Sequence, residues 1–164
     1  MRKALLALIL FAFPLFSDWD ETDSYFYADL GALYFVNPAA GIGYRMQSGH
    51  QGLDFSARVS IGLLAQAKTS VLYLYYPTPY AESQFYLGVG ASALYINIYG
   101  IAFFENQSSY GCAAELLFGA EYWNDQEKRR FLQLQVGFPT LYFSSSMSSK
   151  GYIPVPILSY GFIY

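Results

Sequence analysis

The sequence predicts an all-β fold, an eight-stranded antiparallel up-and-down barrel that crosses a membrane and follows an N-terminal signal peptide. Three observations carry that expectation. Apolar and polar residues alternate with period two through most of the chain, which is the mark of strands with one greasy and one polar face. Charged residues make up only 13% of the 164 residues, against roughly 25% in soluble domains, while 54% are hydrophobic and 20% aromatic. After the N-terminus no apolar run approaches the roughly 20 residues of a spanning helix, so a membrane protein of this composition must cross with strands closed into a barrel. The 17 tyrosines suit the two membrane interfaces of such a barrel.

The chain divides into a signal peptide, residues 1–17, and one barrel domain, residues 18–164. Arg2 and Lys3 begin the signal, Ala4 to Phe16 form its 13-residue apolar stretch, and Ser17 precedes the acidic Asp18, Asp20, Glu21 and Asp23. Cleavage is placed after Ser17, although Leu15 fits the small-residue rule poorly. Losing Arg2 and Lys3 takes the net charge from −3 to −5, with 7 Lys and Arg left against 12 Asp and Glu. That balance, with no basic run longer than Lys128-Arg129-Arg130, argues against a nucleic-acid partner. Cys112 is the single cysteine; it cannot form an internal disulfide and reads as a small hydrophobe on a strand.

The first strand runs from Ser24 to Phe35, with Phe26, Ala28, Leu30, Ala32 and Tyr34 toward lipid and Tyr25, Tyr27, Asp29, Gly31 and Leu33 inward. Val36-Asn37-Pro38 turns the chain. The second strand, Ala40 to Gln47, sets Ile42, Tyr44 and Met46 outward against Gly41, Gly43, Arg45 and Gln47. Gly49 suits the first central position of a two-residue hairpin turn, and the third strand sets Leu53, Phe55, Ala57, Val59 and Ile61 against Asp54, Ser56, Arg58, Ser60 and Gly62. A connection over Leu63 to Ala67 leads to a fourth strand at about Lys68 to Tyr76. Both faces of that strand are apolar or aromatic, so its phase is left open. Pro77 to Ser83 forms the next turn.

The fifth strand starts near Phe85 and alternates Phe85, Leu87, Val89, Ala91 and Ala93 with Tyr86, Gly88, Gly90, Ser92 and Leu94. Tyr95 to Ser108 connects it to the sixth, about Ser109 to Tyr122, where Cys112, Ala114, Leu116, Phe118 and Ala120 oppose Gly111, Ala113, Glu115, Leu117, Gly119 and Glu121. Asn124 to Arg129 turns the chain. The seventh strand sets Leu132, Leu134, Val136 and Phe138 against Phe131, Gln133, Gln135 and Gly137, and Thr140 to Pro154 is read as a long polar connection. The eighth, Val155 to Tyr164, puts Leu158, Tyr160, Phe162 and Tyr164 on one face and Ile157, Ser159, Gly161 and Ile163 on the other.

This terminal strand resembles the C-terminal signal of bacterial outer-membrane β-barrels, and the whole mature chain resembles small barrels of the OmpA and OmpX type. The resemblance implies a bacterial outer-membrane location, a monomer in contact with outer-membrane lipid, and recognition of Tyr160, Phe162 and Tyr164 by the barrel-insertion machinery. It also implies that the termini and the turns at Gly49-His50, Pro77 to Ser83 and Asn124 to Arg129 are periplasmic, with the two longest connections outside. One aromatic girdle would comprise Tyr25, Phe26, Phe85, Tyr122, Trp123, Tyr160 and Tyr164, and the other Tyr34, Phe35, Tyr95, Tyr142 and Phe143. A soluble lipocalin-like barrel with its faces reversed is the alternative; its exterior would carry too little charge.

The inward face gathers Asp29, Arg45, Asp54, Arg58, Glu115 and Glu121 into a structural charge network, together with Gln47, Gln133 and Gln135. The two-residue turn at Gly49-His50 puts Arg45 directly opposite Asp54. An eight-stranded barrel has an interior about wide enough for its own side chains. A filled lumen is therefore expected, although the many inward glycines leave a small-solute channel as an alternative.

No enzyme is expected: His50 is the only histidine and falls in a turn, and no catalytic, metal or cofactor motif accompanies it. Glu115 and Glu121 lie about 20 Å apart along one strand, too far for paired-carboxylate chemistry. Asn106-Gln107-Ser108 matches a glycosylation sequon, which has little meaning in a chain of this resemblance. The expected role is a non-enzymatic membrane scaffold with exposed loops for binding or adhesion to an extracellular partner, with Tyr99, Phe103, Tyr142, Phe143 and Tyr152 as aromatic anchors.

Overall fold

A computed structural model describes residues 23–62, 64–98, 107–123, 129–145 and 154–164. The signal peptide assigned to residues 1–17 lies outside them. Eight strands follow in chain order: β1 (Asp23–Leu33), β2 (Asn37–Ser48), β3 (Gln51–Ser60), β4 (Leu64–Tyr75), β5 (Ser83–Ile98), β6 (Gln107–Trp123), β7 (Arg129–Ser145) and β8 (Val155–Ile163). Each pairs antiparallel with its sequence neighbour, and β1 pairs with β8, so the sheet closes into a barrel with no open side. Closure answers the hydrogen-bonding demand of the first and last strands, which an open sheet would leave unpaired.

The sidedness follows the period-two pattern. Phe26 (65% exposed), Leu30 (62%) and Phe85 (65%) point outward, while Asp29, Arg45, Asp54 and Glu115 are at most 2% exposed. The undecided β4 settles with Gln66, Lys68, Ser70, Leu72 and Leu74 inward and Val71 and Tyr75 outward. Leu72 and Leu74 go inside because they meet Tyr76, Tyr86 and Leu117 there in an apolar cluster of the lumen. A second cluster joins Tyr25, Tyr27 and Phe131, and a third joins Leu33, Val155 and Ile157.

Four expectations are corrected. The β3–β4 connection is shorter than Leu63 to Ala67, because β4 already pairs from Leu64, opposite Ile98 of β5. The strand β5 continues past Tyr95 to Ile98, which pairs with Gln107 of β6. The strand β7 continues to Ser145 in spite of Pro139, because the register against β6 slips twice. Ala113 faces Pro139 but Cys112 faces Leu141, and Gly111 faces Tyr142 but Tyr110 faces Ser144, leaving Thr140 and Phe143 as the extra residues. Such bulges are where a sheet tolerates the missing N–H of proline. The first turn is Tyr34 to Val36, with Tyr34 and Phe35 at φ of 51° and 63°, and Asn37 and Pro38 already belong to β2.

Two of the expected girdle residues are displaced as well. Tyr25 is buried in the lumen, and Tyr34 packs against the Leu33–Val155–Ile157 cluster. Tyr142 and Phe143 lie on β7, with side chains outside the described set.

Three of the inward glycines make room for rings on the paired strand. Tyr27 faces Gly43 across β1–β2, Tyr86 faces Gly119 across β5–β6, and Phe131 faces Gly161 across β7–β8. In each pair a Cβ on the glycine would fall inside contact distance of the ring. A glycine beside an aromatic ring is thus a single packing unit. Gly161→Ala is expected to destabilise the barrel by about 1 to 3 kcal/mol through overpacking. Urea unfolding in detergent checks this, and the penalty should shrink in a Phe131→Leu background, where the ring no longer occupies the site.

Candidate functional site: the charged lumen

The inward polar residues form two linked tiers. Nearer the end where β1 begins and β8 finishes, the centre is Arg45 of β2, whose side chain is fully buried. The hairpin register puts Arg45 opposite Asp54, and its Nε and Nη2 each lie 2.8 Å from Asp54 Oδ2. Its Nη1 donates to Glu121 of β6 and its Nη2 to Gln133 Oε1 of β7 at 3.1 Å. The guanidinium also sits over the Tyr86 ring at 4.5 Å and over Tyr27 and Phe131 at 5.3 Å each. One side chain therefore ties β2 to β3, β6 and β7 across the lumen.

The surrounding groups complete this tier. Tyr27 donates its hydroxyl to Asp54 at 2.9 Å and Tyr25 donates to Glu121 at 2.7 Å. Tyr86 donates to Gln133 at 2.9 Å. Arg129 of β7 pairs with Asp23 at 2.8 Å, donates to Gln47 at 3.1 Å, and lies 2.6 Å from Glu121 Oε2 as an ion pair whose angle falls short of a hydrogen bond. Gln47 in turn donates to Gln84 at 3.0 Å.

The second tier lies farther along the lumen. Arg58 of β3 grips Asp29 of β1 through Nε at 3.0 Å and Nη2 at 2.8 Å, a two-pronged contact that suits the planar guanidinium, and donates Nη1 to Gln135. Gln135 passes the chain on, donating to Glu115 at 3.1 Å and to Ser70 at 3.3 Å. Glu115 also accepts from Ser92 and lies 3.4 Å from Lys68 Nζ.

Among the described residues the lumen thus holds four buried cations, Arg45, Arg58, Lys68 and Arg129, against four buried anions, Asp29, Asp54, Glu115 and Glu121. The structure brings all six residues of the expected network inside and joins Arg45 to Asp54 and Glu121, and Arg58 to Asp29. Glu115 and Glu121 fall in different tiers. Sequence reasoning missed Lys68 and Arg129. The signal for Lys68 was the polar spacing Gln66, Lys68, Ser70 within a stretch whose later half is apolar on both faces. For Arg129 it was the continuation of the Phe131, Gln133, Gln135 face by one more step into what was read as a turn.

Electroneutral pairing is the arrangement that buried charges require, since each ion loses its hydration and regains it only from a partner. It binds strands together across the barrel and, among the described residues, sets each buried charge beside one of opposite sign. Outside the network, His50 Nδ1 lies 2.7 Å from the Tyr76 carbonyl oxygen and its ring stacks on Tyr75 at 6.0 Å. That occupies it with the neighbouring turn. No cluster of three metal-ligating side chains occurs among the described residues.

No protein-family model and no curated protein matches the sequence. Solved structures do match in shape. The chain is similar to Neisserial surface protein A, with 11% identity, coverage of 88% of this chain and 98% of that one, and a TM-score of 0.64. It is also similar to the N-terminal β-barrel domain of Pseudomonas aeruginosa OprF, with 16% identity, coverage of 87% and 97%, and a TM-score of 0.60. At such identities the likeness is one of fold: a closed eight-stranded barrel of the small outer-membrane kind.

Proposed function

We propose that the chain is a bacterial outer-membrane protein, exported with a cleaved signal peptide, that serves as a non-enzymatic scaffold holding its longer connections outside the cell to bind a partner. The observation that carries the membrane location is the inverted sidedness. A barrel with Phe26, Leu30, Ile42, Val59 and Phe85 on its exterior and ion pairs in its interior is stable only where hydrocarbon covers the outside. The same sidedness weighs against a soluble lipocalin-like barrel, which needs the reverse. The neutral lumen, with rings packed at its Arg45 tier, weighs against a solute channel and leaves the connections between strands as the segments free to vary.

The binding role falls on residues 99–106 and 146–153, which include Tyr99, Phe103 and Tyr152 and lie outside the described residues. Thr140 to Ser145 leaves that set because it belongs to β7. Two measurements test the reading. Cell fractionation with heat-dependent gel mobility should place a closed barrel in the outer membrane; a chain found soluble in the periplasm would reject it. Replacing residues 146–153 by a Gly-Ser linker should preserve insertion and abolish adhesion or ligand capture at the surface. Full binding by the inserted variant would leave a purely structural role.

A further inference from the structure

The outer wall of the barrel is uneven. The strand registers align Ala57 of β3, Thr69 of β4, Ala93 of β5 and Cys112 of β6 as direct partners in one outward row. The row two residues toward the far end carries Val59, Tyr95 and Tyr110, with Ala67 between them, and the row two residues toward the terminal end carries Phe55 and Val71 and falls away to Ala91 and Ala114 on β5 and β6. The result is a trough of about 720 Å³ on the exterior of β2–β6. It shares Ile42, Ala57 and Thr69 with a second trough of about 620 Å³ that continues to Tyr44 and Tyr164. Arg58 and Lys68 border the first trough, but their side chains are buried in the lumen, so no charge faces outward there.

We infer that this trough is a binding site for the acyl chain of a membrane diacyl lipid, an inference that rests on the reading that this wall faces hydrocarbon. Three features select that occupant. The outward lining is uncharged, its polar groups being the Thr69 hydroxyl, the Cys112 thiol and the phenols of the tyrosines. At β3 the flanking Phe55 and Val59 stand about 7 Å along the strand from Ala57, and after their side-chain thickness the gap there admits a polymethylene chain but not a helix about 10–12 Å across. The combined trough is continuous with the lipid-facing belt and ends in tyrosines at both extremes: Tyr95 and Tyr110, with ring centroids 4.9 Å apart, and Tyr44 and Tyr164. Tyrosine phenols belong at headgroup level, so the site is apolar where chains lie and hydrogen-bonding where they end. A second barrel, being convex, would rest on the rims of the trough and leave its floor empty.

The test uses the full mature chain in nanodiscs containing phosphatidylcholine with a diazirine in one acyl chain. Photolabelled peptides are expected to come from β2–β5 in several-fold excess over β7. In Ala57→Phe with Ala93→Phe, which fills the floor, that excess should vanish while heat-dependent mobility shows the barrel still closed. If that variant fails to close, Thr69→Leu provides the same comparison. Even labelling around the barrel, or an unchanged excess in the filled variant, overturns the inference while leaving the membrane reading intact. So would disulfide-linked dimers through Cys112 that protect β2–β5 from label, since the occupant would then be a second copy. Absence of label from every strand would instead reject the membrane reading.

Discussion

Arg45→Ala is expected to destabilise the barrel by about 3 to 5 kcal/mol, the range for removing one member of a buried ion pair. The size follows from what is left behind. Asp54 keeps only the Tyr27 hydroxyl, Glu121 loses one of its two cations, and Gln133 loses a donor, all in a region closed to water. Asp54→Ala should cost less, because Arg45 retains Glu121 and three ring contacts. The double variant should cost less than the sum of the two. A double-mutant cycle from urea unfolding in detergent measures the coupling, and a value near zero would mean that each charge is hydrated and the lumen is wetter than the packing indicates.

Deleting Phe162, Ile163 and Tyr164 is expected to abolish the membrane-inserted barrel while leaving export intact. The deletion removes two of the seven partner pairs that close β1 against β8, Tyr27 with Ile163 and Ala28 with Phe162, and the bond from Tyr164 N to Phe26 O at 3.0 Å. It also removes the Phe162 ring beneath Arg130, 4.3 Å from the guanidinium carbon. A seam shortened to five pairs leaves backbone groups of Tyr27 and Ala28 without their β8 partners, which lipid cannot satisfy. The assembly signal assigned to Tyr160, Phe162 and Tyr164 would be lost in the same step. Fractionation should find the truncated chain in the periplasm or degraded. Normal amounts in the outer membrane would falsify both the seam argument and the assigned signal.

Strand phase was legible wherever one face was consistently small or polar and the other bulky. In β3, Asp54, Ser56, Arg58 and Ser60 alternate so cleanly with Leu53, Phe55, Ala57 and Val59 that only one orientation suits lipid. It was illegible in β4, where Leu72 and Leu74 are as apolar as Val71, and the deciding factor was the Tyr76–Tyr86–Leu117 cluster supplied by other strands. Strand ends extend beyond the sequence expectation in β2, β4, β5 and β7. Pairing with a neighbour extends a strand past residues whose own preferences would stop it, as Pro139 shows.

From sequence alone came the strand count, the antiparallel order, the sidedness of seven strands and the Arg45–Asp54 pair. All of these follow from local periodicity and from one tight turn that sets the register of its own hairpin. Barrel closure decided the rest. Arg45 reaches Glu121 and Gln133, Arg58 reaches Asp29 and Gln135, and Lys68 reaches Glu115, across separations of 29 to 88 residues. Those contacts depend on strand registers accumulated around the barrel, which no local pattern encodes. The fate of the inward glycines was decided in the same way. A glycine says only that a side chain is absent, and the Tyr86 ring on the paired strand determines that the space beside Gly119 is filled.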